Sequence, residues 1–178
     1  MRTWFWIRWL LIFKCVSTAQ RNFRIFYDDV NVKIFDMDRV EKFGCQVLQM
    51  NNRSYTNCQV RLRHNIIKLT VRTALDFFKQ NGQSMKLYDV RLDACRFMDT
   101  VHKNRMFNIY AKSLKKLSNL KCPLKANFNY TLEKLYLDEQ DFPSFVPFGT
   151  FRSFSEFYVN QSIVGARIKV HGKVTAWH

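Results

Sequence analysis

The sequence predicts a mainly β fold, a β-sandwich or β-cup with one inserted helical segment, and three observations carry that expectation. Apolar and polar residues alternate in segments such as Val30-Asn31-Val32-Lys33-Ile34 and Val60-Arg61-Leu62-Arg63, and a period of two gives a strand one apolar face. One stretch after Cys95 changes to helical spacing before the strand pattern returns. The order strands, helix, strands lacks the regular alternation of a doubly wound sheet. At 178 residues with 47% hydrophobic and 16% aromatic content, the chain has the apolar surface to build one core.

The first strand is expected within Phe23 to Phe35, on the alternation of Val30, Val32 and Ile34. Gly44 to Met50 and Tyr55 to Arg63 read as a hairpin around the turn-prone Asn51-Asn52-Arg53-Ser54, which sets Cys45 opposite Cys58. Ile67, Leu69 and Val71 start another strand, and Leu87, Val90 and Leu92 a further one after Gln80-Asn81-Gly82. Phe97, Val101, Phe107, Tyr110, Leu114 and Leu117 recur mostly at three- and four-residue spacing, the pattern of an amphipathic helix. The period breaks at His102-Lys103-Asn104-Arg105, so two short helices or one kinked helix satisfy it, with a stop at Ser118-Asn119 and Pro123. Strand patterning returns at Phe128, Tyr130 and Leu132 and again at Ile168 and Val170. Between them, the proline-braced run Phe142 to Phe151 reads as a loop leading into a strand.

The first 19 residues have the layout of a secretory signal peptide: Arg2, an apolar run from Trp4 to Phe13, and the small-residue ending Ser17-Thr18-Ala19. Arg8 interrupts that run, which leaves an uncleaved anchor as the alternative. The expected organisation is a leader over residues 1–19 and a single domain over 20–178. Removing the leader takes Cys15 with it and leaves Cys45, Cys58, Cys95 and Cys122, an even set suited to disulfides in an oxidising compartment. Three pairings are open to four cysteines. Cys45–Cys58 and Cys95–Cys122 are favoured because each closes a local segment. Sequons at Asn52, Asn129 and Asn160 agree with secretion and glycosylation. Without Arg2, Arg8 and Lys14 the 29 basic residues fall to 26 against 14 acids, so the charge of +15 becomes about +12. That excess suits an anionic partner, whether a membrane surface, an acidic glycan or nucleic acid, or else only confers solubility; secretion turns the expectation to a membrane surface, a glycan or a receptor.

No signature of a common hydrolase, phosphate-binding loop or metalloprotease occurs, and the Cys and His spacing fits no zinc finger or ribbon. His64, His102, His171 and His178 read as surface histidines rather than a ribonuclease pair. The acids Asp28-Asp29, Asp36 with Asp38, and Asp138-Glu139 with Asp141 read as solvated loop and strand-end groups rather than glycosidase carboxylates. The expectation is therefore a non-enzyme with no metal or cofactor and no nucleic-acid partner. Its 17 Phe and 7 Tyr either fill a solid core or line a cavity for a hydrophobic ligand.

The blocks Asp93-Ala94-Cys95-Arg96-Phe97, Ser118-Asn119-Leu120-Lys121-Cys122-Pro123, and Phe142-Pro143 with Pro147-Phe148-Gly149-Thr150-Phe151 resemble the signature of DUF1091. This is a large insect family of secreted proteins without an assigned general function, whose chemosensory branch is called CheB. The resemblance runs from Cys45 to Lys173. It departs at Phe151, where a tyrosine is common, and over Ala126 to Tyr130, which carries no glycine. The family is similar in turn to the ML lipid-recognition fold of the ganglioside activator protein, which implies a β-cup whose sheets splay to admit a lipid tail. On that basis the chain is expected to carry or present a lipid, hydrocarbon or pheromone-like ligand in a chemosensory or reproductive setting. Phe97, Phe107 and Tyr110 from the helix and Phe142, Phe145, Phe148 and Phe151 from the loop are the expected aromatic contacts. The alternative is a secreted interaction protein with a solid core, whose basic face binds acidic glycans or a receptor.

Overall fold

A computed structural model of the chain describes residues 21–143, 146–159 and 163–177. The expected leader, Phe145, Asn160 and His178 lie outside the described residues. The strands are β1 (Phe23–Ile34), β2 (Val40–Met50), β3 (Arg53–Leu62), β4 (Leu69–Lys79), β5 (Ser84–Asp93), β6 (Asn129–Leu135), β7 (Gly149–Val159) and β8 (Ile163–Ala176). Helices α1 (Ala94–Asp99) and α2 (Arg105–Leu117) lie between β5 and β6, and a 3-10 turn at Glu139–Asp141 follows β6. The strands form an antiparallel sheet in the order β1-β8-β7-β4-β5 and a second in the order β2-β3-β6. The expected sandwich architecture is present, and the helical segment consists of two helices.

Register explains which side chains face inward. In β1, Phe23, Ile25 and Tyr27 are buried, but a bulge between Tyr27 and Asp29 inserts one residue against β8. A one-residue insertion exchanges the two faces of a strand, so the inward set continues on Val30, Val32 and Ile34. Asn51 and Asn52 have φ of 49° and 59° and close β2 onto β3 in a two-residue turn of the primed type, which favours asparagine. This register places Cys45 opposite Cys58 with Cα atoms 4.1 Å apart, and the pair is disulfide-bonded.

Two side-chain caps define the helices. Asp93 accepts from the Arg96 amide at 2.9 Å to start α1, and Asn104 accepts from the Met106 amide at 2.9 Å to start α2. Between them, Asn108 bonds both the amide and the carbonyl of His102, which fixes the break in helical period. Helix α1 packs on β4 and β5 of the larger sheet and α2 on β6 of the smaller, so the pair spans one side of the sandwich. The Cys95–Cys122 disulfide ties α1 to the segment after α2. Among the described residues no helix is long and apolar enough to cross a membrane.

The buried core divides into two clusters at opposite ends of the strands. One gathers Phe23, Ile25, Tyr27, Leu75, Phe77, Ile109, Leu137, Phe142, Phe151 and Val174. The other gathers Val40, Leu62, Ile66, Leu124, Tyr130 and Val159. In the first, Tyr27 and Phe151 both stand opposite Gly172 in register and their rings meet edge to face, 6.2 Å between centroids. A methyl group on Gly172 would lie 2.3 Å from the Phe151 ring and 2.3 Å from the Phe26 carbonyl oxygen. Gly172→Ala is accordingly expected to cost about 1–3 kcal/mol in urea unfolding through overpacking. An unchanged midpoint would show that the ring does not close over the glycine.

Candidate functional site

Between the two clusters lies a cavity of about 340 Å³. Its origin is visible in the β4/β7 register, which pairs Leu69 with Val159, Val71 with Phe157, Thr73 with Ser155, Leu75 with Ser153, and Phe77 with Phe151. Large residues stand at the ends of this series, and Thr73, Ser153 and Ser155 stand in the middle. Sheets packed face to face are about 10 Å apart and rely on side chains meeting across the gap. Small hydroxyl residues cannot fill it. From the smaller sheet, Thr56 and Cys58 of β3 share the same cavity and are also short.

The helices close the space with Phe97 and Met98 of α1 and Phe107, Tyr110 and Leu114 of α2. Their rings form a connected wall. Phe107 meets Tyr88 edge to face at 5.3 Å and Phe97 at 6.0 Å, and the His102 ring lies against Phe97 at 4.4 Å. Among the described residues lining the cavity, no side chain is charged.

Among the described lining residues, the side chains that carry oxygen are all hydroxyl-bearing. Ser155 Oγ donates to Thr73 Oγ1 at 3.1 Å, and the Tyr88 hydroxyl is hydrogen-bonded to Thr73. Burial pushes the Tyr27 phenol well up, with Tyr88 adding to the effect. Burial likewise raises Tyr110, reinforced by Tyr27 and Tyr88, so the three phenols lie near one another and remain neutral. Tyr88 is also raised by burial, against the opposing bond from Thr73.

Of the aromatic residues expected to contact a ligand, Phe97, Phe107, Tyr110 and Phe151 line the cavity. Phe142 is buried within the first end cluster, to which Tyr110 also packs, and Phe148 is 40% exposed; neither is on the cavity wall. Asn52 is exposed at the β2–β3 turn and Asn129 is exposed at the start of β6. His64 and His171 are exposed, whereas His102 is half-buried with a ring nitrogen 2.7 Å from the Phe97 carbonyl. The reading of Glu139 as a solvated loop acid is corrected. It is 3% exposed, lies 3.3 Å from Arg53, and accepts a bond from the Ile25 amide. The residues missed by sequence reasoning are Thr73, Tyr88, Ser153 and Ser155. Their signal is a strand whose inward positions read Phe151, Ser153, Ser155, Phe157, large at the ends and small within.

The two sheets, parted around an apolar, uncharged space, define a β-cup. Residues 68–153 match the model of a family described as a protein of unknown function, DUF1091, so the resemblance read from the sequence holds over that stretch. Two solved structures are similar at low identity. The crystal structure of chicken MD-1 complexed with lipid IVa is 13% identical, with 85% of this chain and 97% of that chain covered and a TM-score of 0.43. The crystal structure of a Niemann-Pick type C2 protein from Japanese carpenter ant is 14% identical, with coverages of 84% and 92% and a TM-score of 0.32. No curated protein matches the chain.

A pH dependence follows from the phenols. Their folded-state pKa values lie above the ordinary value of 10.0, so their contribution to stability is complete below pH 10 and is lost as the pH rises beyond it. The urea midpoint is expected to fall steeply above that pH, and Tyr27→Phe should flatten the fall. Equal alkaline slopes for the two proteins would contradict burial of the phenol.

Proposed function

We propose that this protein is a secreted, non-enzymatic carrier or presenter of a hydrophobic ligand held between its two sheets. The observation that carries the reading is the cavity of about 340 Å³ with uncharged walls, within the range of roughly 300–1,000 Å³ usual for ligand sites. Two disulfides, the sequons at Asn52, Asn129 and Asn160, and the leader-like first 19 residues support export to an oxidising compartment. A lipid, a hydrocarbon or a pheromone-like molecule fits such a wall, and the resemblance to an insect secreted family with a chemosensory branch supports a chemosensory or reproductive setting.

Filling the cavity tests this directly. Ser153→Leu and Ser155→Leu place aliphatic volume where the structure has space, so each should reduce lipid retention while changing stability by less than about 1.5 kcal/mol. In a solid core the same changes would overpack and destabilise. The measurement is native mass spectrometry of protein secreted from insect cells, with organic extraction of the bound material and urea unfolding in parallel. Wild-type protein that neither retains nor takes up any lipid would sink the carrier reading.

A second reading rests on the outer face of the larger sheet. Cross-strand register there aligns Lys33, Arg167, Glu156, Arg72 and Arg91 in one row, four cations around a single carboxylate. Glu156 is 5% exposed and bonded by Arg167 and Tyr158; burial raises its carboxyl, but those bonds outweigh burial and hold it below its usual range. This row suits an acidic glycan or another anionic partner. Retention on heparin should weaken steeply with salt, since exposed charges are screened over about 8 Å at physiological ionic strength, and Lys33→Glu with Arg91→Glu should weaken it further. Absence of retention at low salt would leave the row a solubility feature.

A further inference from the structure

We propose that the ligand is a neutral amphiphile, an apolar chain ending in one uncharged oxygen-bearing group, whose oxygen binds inside the cup at the hydroxyl cluster of Thr73, Tyr88 and Ser155. The inference rests on the carrier reading and goes further, because it assigns the chemical class of the ligand and the direction in which it lies.

The larger sheet places its hydroxyls at the middle of its inner face. Thr73 and Ser155 are direct cross-strand neighbours, and Ser153 stands opposite Leu75, which in turn stands opposite Tyr88 on the other side of β4. The first link is Ser155 to Thr73 at 3.1 Å, and Tyr88 reaches the same threonine. Each hydroxyl offers one donor and two acceptor positions, so these two bonds leave hydrogen-bonding capacity on residues that line the space. Polar capacity in an apolar enclosure is costly unless it is matched. A plain hydrocarbon leaves it unmatched. An alcohol, ester or ketone oxygen matches it.

Charge gives the converse. The described lining residues include no cation to neutralise a carboxylate or phosphate, and an isolated ion taken into such a site loses its hydration without replacement. Arg72 and Arg167 belong to the opposite face, paired with Asp89 and Glu156. The basic surface therefore cannot serve the cavity. An ionised amphiphile would have to leave its head at the surface and give up the hydroxyl cluster.

The experiment uses the full secreted protein loaded with the fluorescent probe N-phenyl-1-naphthylamine. Decanol, methyl decanoate and decanoate compete as monomers at about pH 8, where a fatty carboxyl is ionised. Decanol and the methyl ester should displace the probe at concentrations about tenfold lower than decanoate, the factor that one net hydrogen bond supplies. In Thr73→Val and Tyr88→Phe the ratio of decanol to decanoate affinity should fall towards one. Ser155→Ala, the smallest change, makes the same test should either of those fail to fold. Decanoate competing as well as decanol, or a ratio unmoved in the folded variants, would overturn the neutral-head assignment while leaving the carrier reading in place. Failure of the wild-type protein to bind the probe or any competitor would overturn both.

Discussion

Two close-packed clusters at opposite ends of the strands hold the sheets at a separation that the residues between them are too small to fill. Phe77 and Phe151 at one end, and Leu69 with Val159 at the other, lie on the same pair of strands as Thr73, Ser153 and Ser155. Protein interiors are packed to nearly crystalline density, and voids larger than a water molecule are few. A gap of about 340 Å³ bounded along the strands by packed ends is therefore a local property of the inner-face sequence. It survives because the ends set the sheet spacing, and the middle cannot collapse without breaking them.

The covalent framework braces the same space. Cys45–Cys58 fixes the register of the β2–β3 hairpin, and Cys58 itself lines the cavity. Cys95–Cys122 fixes the start of α1 to the segment whose Leu124 exchanges two backbone hydrogen bonds with Ile66. The wall built by the helices is thus tied to the larger sheet where α1 leaves β5 and to the smaller sheet beside the end of β3. Neither helix has many residues to bury. α2 buries only Ile109 and Ala111 fully, while its Phe107, Tyr110 and Leu114 spend part of their apolar surface on the cavity. Tertiary anchoring rather than intrinsic helix stability keeps that face in position.

Much of this fold was legible because strand periodicity and turn chemistry agreed with each other. The Asn51-Asn52 turn fixed a register that set Cys45 against Cys58, and the break at His102-Lys103-Asn104-Arg105 marked where Asn104 caps a new helix. The cavity wall was only half legible, since aromatic residues announce apolar surface without saying whether it meets a neighbour or a space. Phe142 and Phe107 look alike in sequence, yet one completes a packed end and the other faces the cavity. What distinguishes them is the length of the residues opposite, and those are brought to them only by the folded chain. Serines at inward strand positions carried the signal. Their meaning depends on Thr73, which becomes their neighbour only when β4 pairs with β7. Glu139 was misjudged for a related reason: a loop acid is ordinarily solvated, and only the folded chain brings Arg53 and the Ile25 amide to it.

The period of two also separates two functions of the larger sheet. Along β7, Arg152, Phe154, Glu156 and Tyr158 point outward while Phe151, Ser153, Ser155 and Phe157 point inward, and β4 divides Arg72 from Val71 and Thr73 in the same way. The described part of this +15 chain can in this way enclose an uncharged space, because its charged side chains lie outside the cavity lining. The separation has a consequence for a carrier. Taking up a neutral molecule adds no charge and moves none, so the basic outer face presents the same long-range field to an anionic partner whether the cup is loaded or empty. A partner that must distinguish the two states has to sense shape instead, and among the described residues the elements that border the cavity without belonging to either sheet are α1, α2, the link through Ile66 and the segment from Leu120 to Leu124. In such a carrier, selection of a ligand and attraction of an anionic partner would be physically independent, the first set by inward hydroxyls and the second by outward cations.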